Sequence, residues 1–186
     1  MKNKSLLLLI ALMNIAILAC NSEKSTKPEE PVEEKKALTN SIGNFEKQLV
    51  GQVTMDRNVA DSVVSSQVKF AEQFPNDPAA PNYLFRAGDV SQSIGEYAKA
   101  IELWETVRKK YPSFNQNADA LFKIAFCFDE DLRDKINAKK TYEQFLKEYP
   151  KHPLTDQVNK LIPLLDRDPE EVVKDFENKA AKDSAK

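Results

Sequence analysis

Hydrophobic residues follow three different patterns along the chain. Residues 6–19 form an apolar run interrupted only by Asn14, and residues 21–36 contain a single apolar side chain, Val32. From residue 37 onward, apolar residues recur at intervals of three and four. Such intervals place an apolar stripe on each helix and predict helices that bury this stripe against a neighbour. The chain is therefore predicted to contain an N-terminal targeting segment, a polar tether and one helical domain.

Three aromatic-proline dipeptides divide the helical part at nearly equal intervals. Phe74-Pro75, Tyr111-Pro112 and Tyr149-Pro150 are separated by 37 and then 38 residues. Equal spacing of this size is typical of repeated helix pairs. Because proline is tolerated at a helix start but not inside a helix, these dipeptides and the prolines near them mark the boundaries between pairs.

The last two repeat units can be superposed at an offset of 38 residues. Large residues then fall on large ones and small residues on small ones. The superposed pairs are Leu84 and Phe122, Ala87 and Ala125, Ala100 and Ala138, Trp104 and Tyr142, Val107 and Phe145, and Tyr111 and Tyr149. The small members predict close contact between two helix backbones, with aromatic residues filling the space on either side.

This pattern resembles the tetratricopeptide repeat (TPR) family. Residues 81–114 match it best, residues 119–152 have Phe126 and Arg133 where glycines are usual, and residues 44–77 are the most degenerate unit. The matching positions of the best unit are Leu84, Ala87-Gly88, Gly95, Tyr97, Ala100, Trp104 and Pro112. The resemblance implies an all-α fold: a short right-handed solenoid of antiparallel helix pairs, closed by C-terminal capping helices.

The N-terminus resembles that of a bacterial lipoprotein. Lys2 and Lys4 precede an apolar run of fourteen residues, shorter than the roughly 20 needed to span a bilayer, and the run ends in Ile17-Leu18-Ala19-Cys20. The resemblance implies that the Cys20 thiol carries diacylglycerol and that its amine is acylated, which anchors a protein stably. We expect the protein at the bacterial outer membrane, facing the periplasm. The alternative is a plain secretory peptide cleaved near Ala19, with Cys20 incidental.

These patterns predict five segments of different character. The polar stretch behind Cys20 has no aromatic residue and two prolines, so it is expected to be a disordered tether. The segments are a signal peptide (1–19), a lipidated Cys20 with its tether (20–36), about three helical hairpins (37–152), capping helices (153–182) and a disordered tail (183–186).

Composition argues against an active site. The formal net charge of -2 gives no basic surface for nucleic acid, and one His among 186 residues makes a His-built metal or catalytic site improbable. His152 stands between two prolines, Cys127 lies in an apolar helix, and the acidic run 129–131 lacks the spacing of a calcium loop. We predict a non-enzymatic protein with no metal and no cofactor, apart from the covalent lipid on Cys20.

The TPR resemblance implies a partner-binding groove lined by the first helices of successive repeats. The candidate groove residues are Phe45, Gln48, Gln52, Met55, Asn82, Phe85, Asp89, Gln92, Lys123, Cys127 and Glu130. Together with the lipoprotein-like N-terminus and the polar linker, the resemblance implies a membrane-tethered scaffold that binds envelope proteins, similar to TPR proteins of outer-membrane assembly and envelope maintenance. Contact with the membrane is expected only through the anchor. The alternative is a structural subunit of a larger envelope complex, held by its convex face or C-terminal helix.

Overall fold

A computed structural model describes residues 30–50 and 56–167, together with the helical residues 174, 177 and 178. The chain divides into two compact units, 1–34 and 35–186, and the described part of the first unit is the start of one helix. The helices are α1 (Glu30–Leu49), α2 (Arg57–Gln73), α3 (Ala80–Ser93), α4 (Tyr97–Lys110), α5 (Asn117–Phe126), α6 (Lys135–Glu148) and α7 (Thr155–Leu165), with a π-helical turn (Cys127–Asp131) after α5. No described residue lies in a strand, and the predicted all-α fold is confirmed.

The helices of the second unit form hairpins that stack in chain order. Helices α3 and α4 form one hairpin, and α5 and α6 form the next; α2 packs on α3, α4 on α5, and α7 on α6. In chain order, the pairs α1–α2, α3–α4 and α5–α6 are called the first, second and third hairpins below. The core consists of two clusters of buried apolar residues, one spanning α1 to α5 and one spanning α5 to α7, and Phe128 packs against both. Each hairpin therefore buries its apolar stripes against its neighbours, as a solenoid requires.

The proline-rich segments lie between hairpins, as predicted. They carry the same backbone bond at equivalent positions: the amides of Asp77, Phe114 and His152 donate to the carbonyls three residues earlier, at 2.9, 3.0 and 3.1 Å. Pro81 occupies the first turn of α3, where its missing N–H is not required. The repeated turn explains why aromatic-proline dipeptides mark the repeat boundaries.

Small and large residues meet at the crossing of α3 and α4. Ala100 and Trp104 are fully buried, and the indole Nε1–H donates to the Phe85 carbonyl at 3.1 Å. A Cβ atom at Gly88 would lie 2.4 Å from Trp104 Nε1, so only glycine fits there. In the next hairpin Ala138 and Tyr142 are likewise fully buried. The predicted pairing of these second-helix positions, 38 residues apart, agrees with the structure.

The first helices have a different register. Helix α5 begins 37 residues after α3, and an offset of 37 brings buried Leu121 onto buried Leu84 and buried Ala125 onto Gly88. The predicted offset of 38 paired Leu84 with Phe122 and Ala87 with Ala125, and it put Phe126 in the place of Gly88. That part of the superposition was wrong, because the α5–α6 hairpin holds one extra residue between the starts of its two helices.

The π-helical turn accommodates this extra residue. Leu132 N–H donates to the Cys127 carbonyl five residues earlier, at 2.9 Å, which is the bond of a π-helix. Asp134 N–H reaches back six residues to the Phe128 carbonyl, whereas Glu96 N–H in the previous hairpin reaches back five, to Ser91. The two hairpins thus regain a common register by the time α4 and α6 begin.

Helix α1 begins earlier than the predicted end of the tether at Lys36. It starts at Glu30, so Pro31 lies in the first turn, where proline does not break a helix. Lys35 then forms an ion pair with Asp77 in the turn between α2 and α3, which ties this part of α1 to the domain. The tether prediction for 30–36 was therefore wrong, while residues 20–29 and the signal peptide lie outside the described residues.

Helix α7 covers the end of the last hairpin. Val158 and Leu165 are buried, Leu161 and Ile162 pack against the second core cluster, and Pro163 lies within the helix. This agrees with the closing helix predicted after Pro150. The second capping helix, predicted to start at Asp168, lies largely outside the described residues, although 174, 177 and 178 are helical.

Candidate functional site

Polar contacts connect α1 with α3 and α3 with α5, and α7 adjoins α3 and α5 at a pocket; the surface that these four helices share is called the groove face below. Polar contacts join neighbouring helices across it. Arg86 Nη2 lies 2.8 Å from Glu46 Oε1, and Lys123 Nζ lies 3.2 Å from Asp89 Oδ1. Gln92 Nε2 donates to Asp131 Oδ2 at 2.6 Å. These contacts hold the spacing between adjacent repeats.

A pocket of about 370 Å³, called the aromatic pocket below, opens on the groove face among α3, α5 and α7. Its base includes Phe122 and Phe126, whose rings stack with centroids 6.1 Å apart and an interplanar angle of 25°. Phe126 is 39% exposed. The complete lining is Phe85, Gln92, Gln116, Asp119, Phe122, Lys123, Phe126 and Gln157. Exposed aromatic surface bordered by amides is typical of a site that binds a protein segment.

Lys123 connects several of these groups. Its ammonium lies 5.7 Å from the centroids of both the Phe85 and Trp104 rings, in cation–π geometry. Burial raises the pKa of Asp89, and the nearby Lys123 charge opposes that increase. The Asp89–Lys123 pair thus fixes charged groups beside an aromatic surface instead of leaving them available to a charged ligand.

A second pocket, of about 510 Å³, opens on the same face where α1, α2 and α3 meet. Gln67 of α2 forms part of its lining and is fully buried, and its Nε2 donates to Glu46 Oε1 at 2.8 Å. Asp89 borders this pocket and Lys123 borders the aromatic pocket, so their ion pair lies between the two.

The structure distributes the candidate groove residues over different environments. Gln48, Asn82 and Glu130 are exposed; Phe45, Asp89, Gln92 and Lys123 are half-buried. Gln52 and Met55 lie outside the described residues. Asp89, Gln92, Lys123 and Glu130 belong to α3, α5 or the π-helical turn. Whether any of these residues contacts a partner stays a prediction.

Two of the candidates have buried side chains. Phe85 is 5% exposed and packs edge-on against Phe114, and Cys127 is fully buried. Burial, helped by the Asp131 carboxylate, raises the pKa of the Cys127 thiol to about 12, so the thiol is protonated at neutral pH. The choice of Cys127 for direct contact with a partner is wrong because Cys127 belongs to the core, whereas Phe85 lines the aromatic pocket from within and its contact with a partner stays a prediction.

Sequence reasoning missed Asp119, Phe122 and Phe126. An offset of 38 from α3 selects Lys123 and Cys127, whereas the correct offset of 37 from Asn82, Phe85 and Asp89 selects these three residues. The sequence signal for this insertion was the unequal spacing of the aromatic-proline dipeptides, which is 37 and then 38 residues. It showed that one residue had been added, but not on which side of the first helix.

His152 has a structural position at the end of the last hairpin. Its Nδ1 accepts a hydrogen bond from the Leu154 amide at 3.3 Å, at the start of α7, and its Nε2 lies 4.0 Å from Asp119. Within the part of the chain that the structure describes, no group of three or more His, Cys, Asp or Glu is placed to hold a metal ion. Of the helices described, none is long and apolar enough to cross a bilayer.

Residues 83–113 and 119–152 match the family model described as tetratricopeptide repeat. These two segments are thus similar to tetratricopeptide repeats. They correspond to the α3–α4 and α5–α6 hairpins, so the fold is a TPR-like helical solenoid. No curated protein matches the sequence significantly. TPR solenoids generally act as non-catalytic scaffolds that bind protein partners on an extended surface.

Proposed function

We propose that this TPR protein is a membrane-tethered, non-catalytic scaffold of the bacterial cell envelope that binds an extended segment of a partner protein on its groove face. The observation that carries the proposal is the stacked Phe122–Phe126 pair in the aromatic pocket, with Phe126 39% exposed. An exposed aromatic ring in a concave site is a favourable anchor point because its burial by a partner removes a large apolar area from water.

The polar lining supports an uncharged, extended ligand. Gln92, Gln116 and Gln157 surround the aromatic rings with amides, which can both donate to and accept from a peptide backbone. Lys123 is already paired with Asp89. The pocket therefore suits an apolar side chain whose flanking backbone is hydrogen-bonded by the glutamines.

The proposed location depends on the N-terminal sequence. Residues 17–20 resemble the site at which bacterial lipoproteins are lipidated, and the stretch 21–29 is polar. A lipid on Cys20 would attach the solenoid to the outer membrane, and the polar stretch would hold it away from the headgroups. Replacing Cys20 by Ala is expected to release the protein from membranes or leave it unprocessed. Unchanged membrane partition with unchanged mass would contradict the anchor.

Partner binding is tested by crosslinking in cells, followed by affinity purification of the C-terminally tagged full chain from detergent-solubilised membranes. Phe126→Ala should remove the partner that wild type captures, without lowering the free energy of unfolding by more than about 1 kcal/mol, because the ring is partly exposed. Phe85→Ala is a poor probe, since Phe85 is in the core. The matched control is Ile136→Ala, which removes an apolar side chain that is 82% exposed on α6.

The same pair of variants tests a second function, that of a structural subunit held by another face. The observation in its favour is Ile136 itself, which lies beside Lys135, Lys139 and Lys140 around a shallow cavity of about 310 Å³. A stoichiometric complex that survives Phe126→Ala and is lost in Ile136→Ala would replace the groove with this face. Truncation after Asp168 would reveal a complex held by the C-terminal helix.

A further inference from the structure

One position of the second helix is filled differently in each hairpin. Gln67 of α2, Trp104 of α4 and Tyr142 of α6 are equivalent, at offsets of 37 and 38 residues, and all three are fully buried. Trp104 and Tyr142 fill the space beneath the first helix, and their polar atoms donate to the Phe85 carbonyl and to Asp129 Oδ2, respectively. Gln67 is smaller and has no ring. The pocket of about 510 Å³ lies at this position.

The Gln67 side chain has an unused acceptor. Its Nε2 donates to Glu46, but Oε1, although buried, has no hydrogen-bond partner among the described residues. A buried polar atom without a partner is unfavourable, and a ligand that donates to it removes that penalty. The acceptor therefore indicates a ligand with an N–H or O–H group.

Gly43 keeps the pocket open from the side of α1. A Cβ atom added there would meet nothing within 4 Å, and Gly43 lies inside a helix, where glycine is a poor helix former. The other walls are largely apolar, with Leu49, Val63 and Val90. Their character calls for a ligand that is apolar over most of its surface.

The charges around the pocket favour a neutral ligand. Of its two carboxylates, Glu46 is paired with Arg86 and Asp89 with Lys123. Lys47, the other cation in the lining, is exposed. A cationic or anionic ligand would lose its hydration without gaining an uncompensated opposite charge at the buried end of the pocket.

We infer that this pocket, called the Gln67 pocket below, accepts a tyrosine or tryptophan side chain of the partner segment, whose O–H or N–H donates to Gln67 Oε1. The partner would supply the ring that the first hairpin lacks. The inference rests on the proposed function, and because Asp89 of one pocket contacts Lys123 of the other, one extended segment can occupy both.

The test uses the full chain in detergent, labelled with ¹⁵N-glycine. The sequence has four glycines, of which Gly43 lines the Gln67 pocket, whereas Gly95, in the turn after α3, does not. Titration with N-acetyl-tyrosinamide or N-acetyl-tryptophanamide should shift the Gly43 amide resonance saturably and leave that of Gly95 unchanged. N-acetyl-phenylalaninamide, which has no donor on its ring, should bind about tenfold more weakly. N-acetyl-argininamide should bind no better than the phenylalanine compound.

Two variants test separately whether the pocket must be empty for binding and whether Gln67 recognises the hydrogen-bond donor of the ligand. Gly43→Leu should fill the pocket and abolish binding of the tyrosine probe, now read from the side-chain amide resonances of ¹⁵N-glutamine, without lowering the melting temperature. Its matched control, Asn44→Leu, adds the same side chain at the exposed next residue and should bind normally. Gln67→Leu should make the phenylalanine and tyrosine probes bind equally. Equal binding of these two probes to wild type, or no shift at Gly43, would overturn the inference.

Failure of this inference is distinguishable from failure of the proposed function. If the crosslinked partner is lost in Phe126→Ala but retained in Gly43→Leu, the groove binds its partner without using the Gln67 pocket. If neither variant loses the partner while the tyrosine probe still binds at Gly43, the pocket is real and the proposed groove function is wrong.

Discussion

The second and third hairpins reach the same architecture by different local means. In the second, Gly88 lies against Trp104, α3 ends in a short turn, and Gly95 takes a positive φ of 80°. In the third, Ala125 takes the place of Gly88, Tyr142 that of Trp104, and a π-helical turn precedes Arg133 at a φ of 56°. A larger residue on the first helix thus accompanies a smaller ring on the second.

The comparison shows which features of the repeat are exchangeable. Packing constrains the combined volume of the two side chains at the crossing. The identity of each side chain can differ between hairpins as long as the other compensates. An added residue is also tolerated, because widening one turn of helix leaves the helices on both sides intact. The aromatic pocket lies beside that widened turn, so the third hairpin combines a structural irregularity with the proposed binding surface.

The largest effect is expected from adding a methyl group at the tighter crossing. Gly88→Ala would place a Cβ 2.4 Å from Trp104 Nε1, and it should lower the free energy of unfolding by about 2 to 3 kcal/mol. Combining it with Trp104→Tyr reproduces the pair of the third hairpin and should recover part of the loss. Urea denaturation followed by far-UV circular dichroism measures both, since Trp104 is the only tryptophan.

Gly43→Ala is the matched control for this experiment. It adds the same methyl group to a helical glycine that has open space around it, and it should stabilise the protein by several tenths of a kcal/mol. Equal destabilisation by the two substitutions would show that the contact with Trp104 is not the cause.

An intermediate effect is expected at the positive-φ residues after the first helices. Arg133→Gly should raise the free energy of unfolding by about 1 kcal/mol, because glycine adopts this conformation without a steric penalty. Gly95→Ala should lower it by a similar amount. Glu130→Gln removes the ion pair with Arg133 without altering the backbone, and it should have little effect. A destabilised Arg133→Gly variant would contradict the explanation.

The smallest effect concerns the hydrogen bond of the ring in each hairpin. Trp104 donates to a carbonyl, which does not titrate, whereas Tyr142 donates to Asp129, whose pKa is raised above 3.8 by burial and by Glu130. A carboxyl group with a raised pKa stabilises the fold below its ordinary pKa, and this contribution is lost as pH rises through the folded-state value.

Asp129→Asn should therefore gain stability relative to wild type between pH 3 and pH 7, by less than about 1 kcal/mol, because Asp129 is only partly buried. Urea midpoints measured across this range, with Tyr142→Phe as a second variant, test the assignment. If the wild type instead became more stable relative to Asp129→Asn as the pH rises over this interval, Asp129 would be stabilised in its charged form.

The elements predicted best were those with strong local signals. The prolines and aromatic residues at the boundaries, and the pairing of Ala100 with Ala138, follow from the residues themselves because helix interiors exclude proline and close crossings require small side chains. The start of α1 was predicted too late, because a proline was read as a helix breaker where it occupies the first turn.

The binding surface was predicted less well because it depends on register. A shift of one residue rotates a helix by about 100°, which is enough to exchange exposed Phe126 for buried Cys127. Sequence spacing gives the length of an insertion but not its place along a helix, since both placements preserve a helical apolar stripe. Only the packed arrangement of α5 against α6 distinguishes them.

Because Gln67 stands where the other hairpins have a ring, α2 is expected to unfold locally more readily than α4. Helices α3 and α4 are packed from both sides and centred on Trp104, whereas among the described helices α2 packs on α3 and has an open space beside Gln67 where a ring would lie. In a linear array, stability is the sum of each unit and its adjoining interfaces, so amide protons of α2 should exchange with solvent sooner than those of α4. A ligand in that space would slow the hydrogen exchange of the α2 amides. Binding would then change the local stability of the domain without changing its structure.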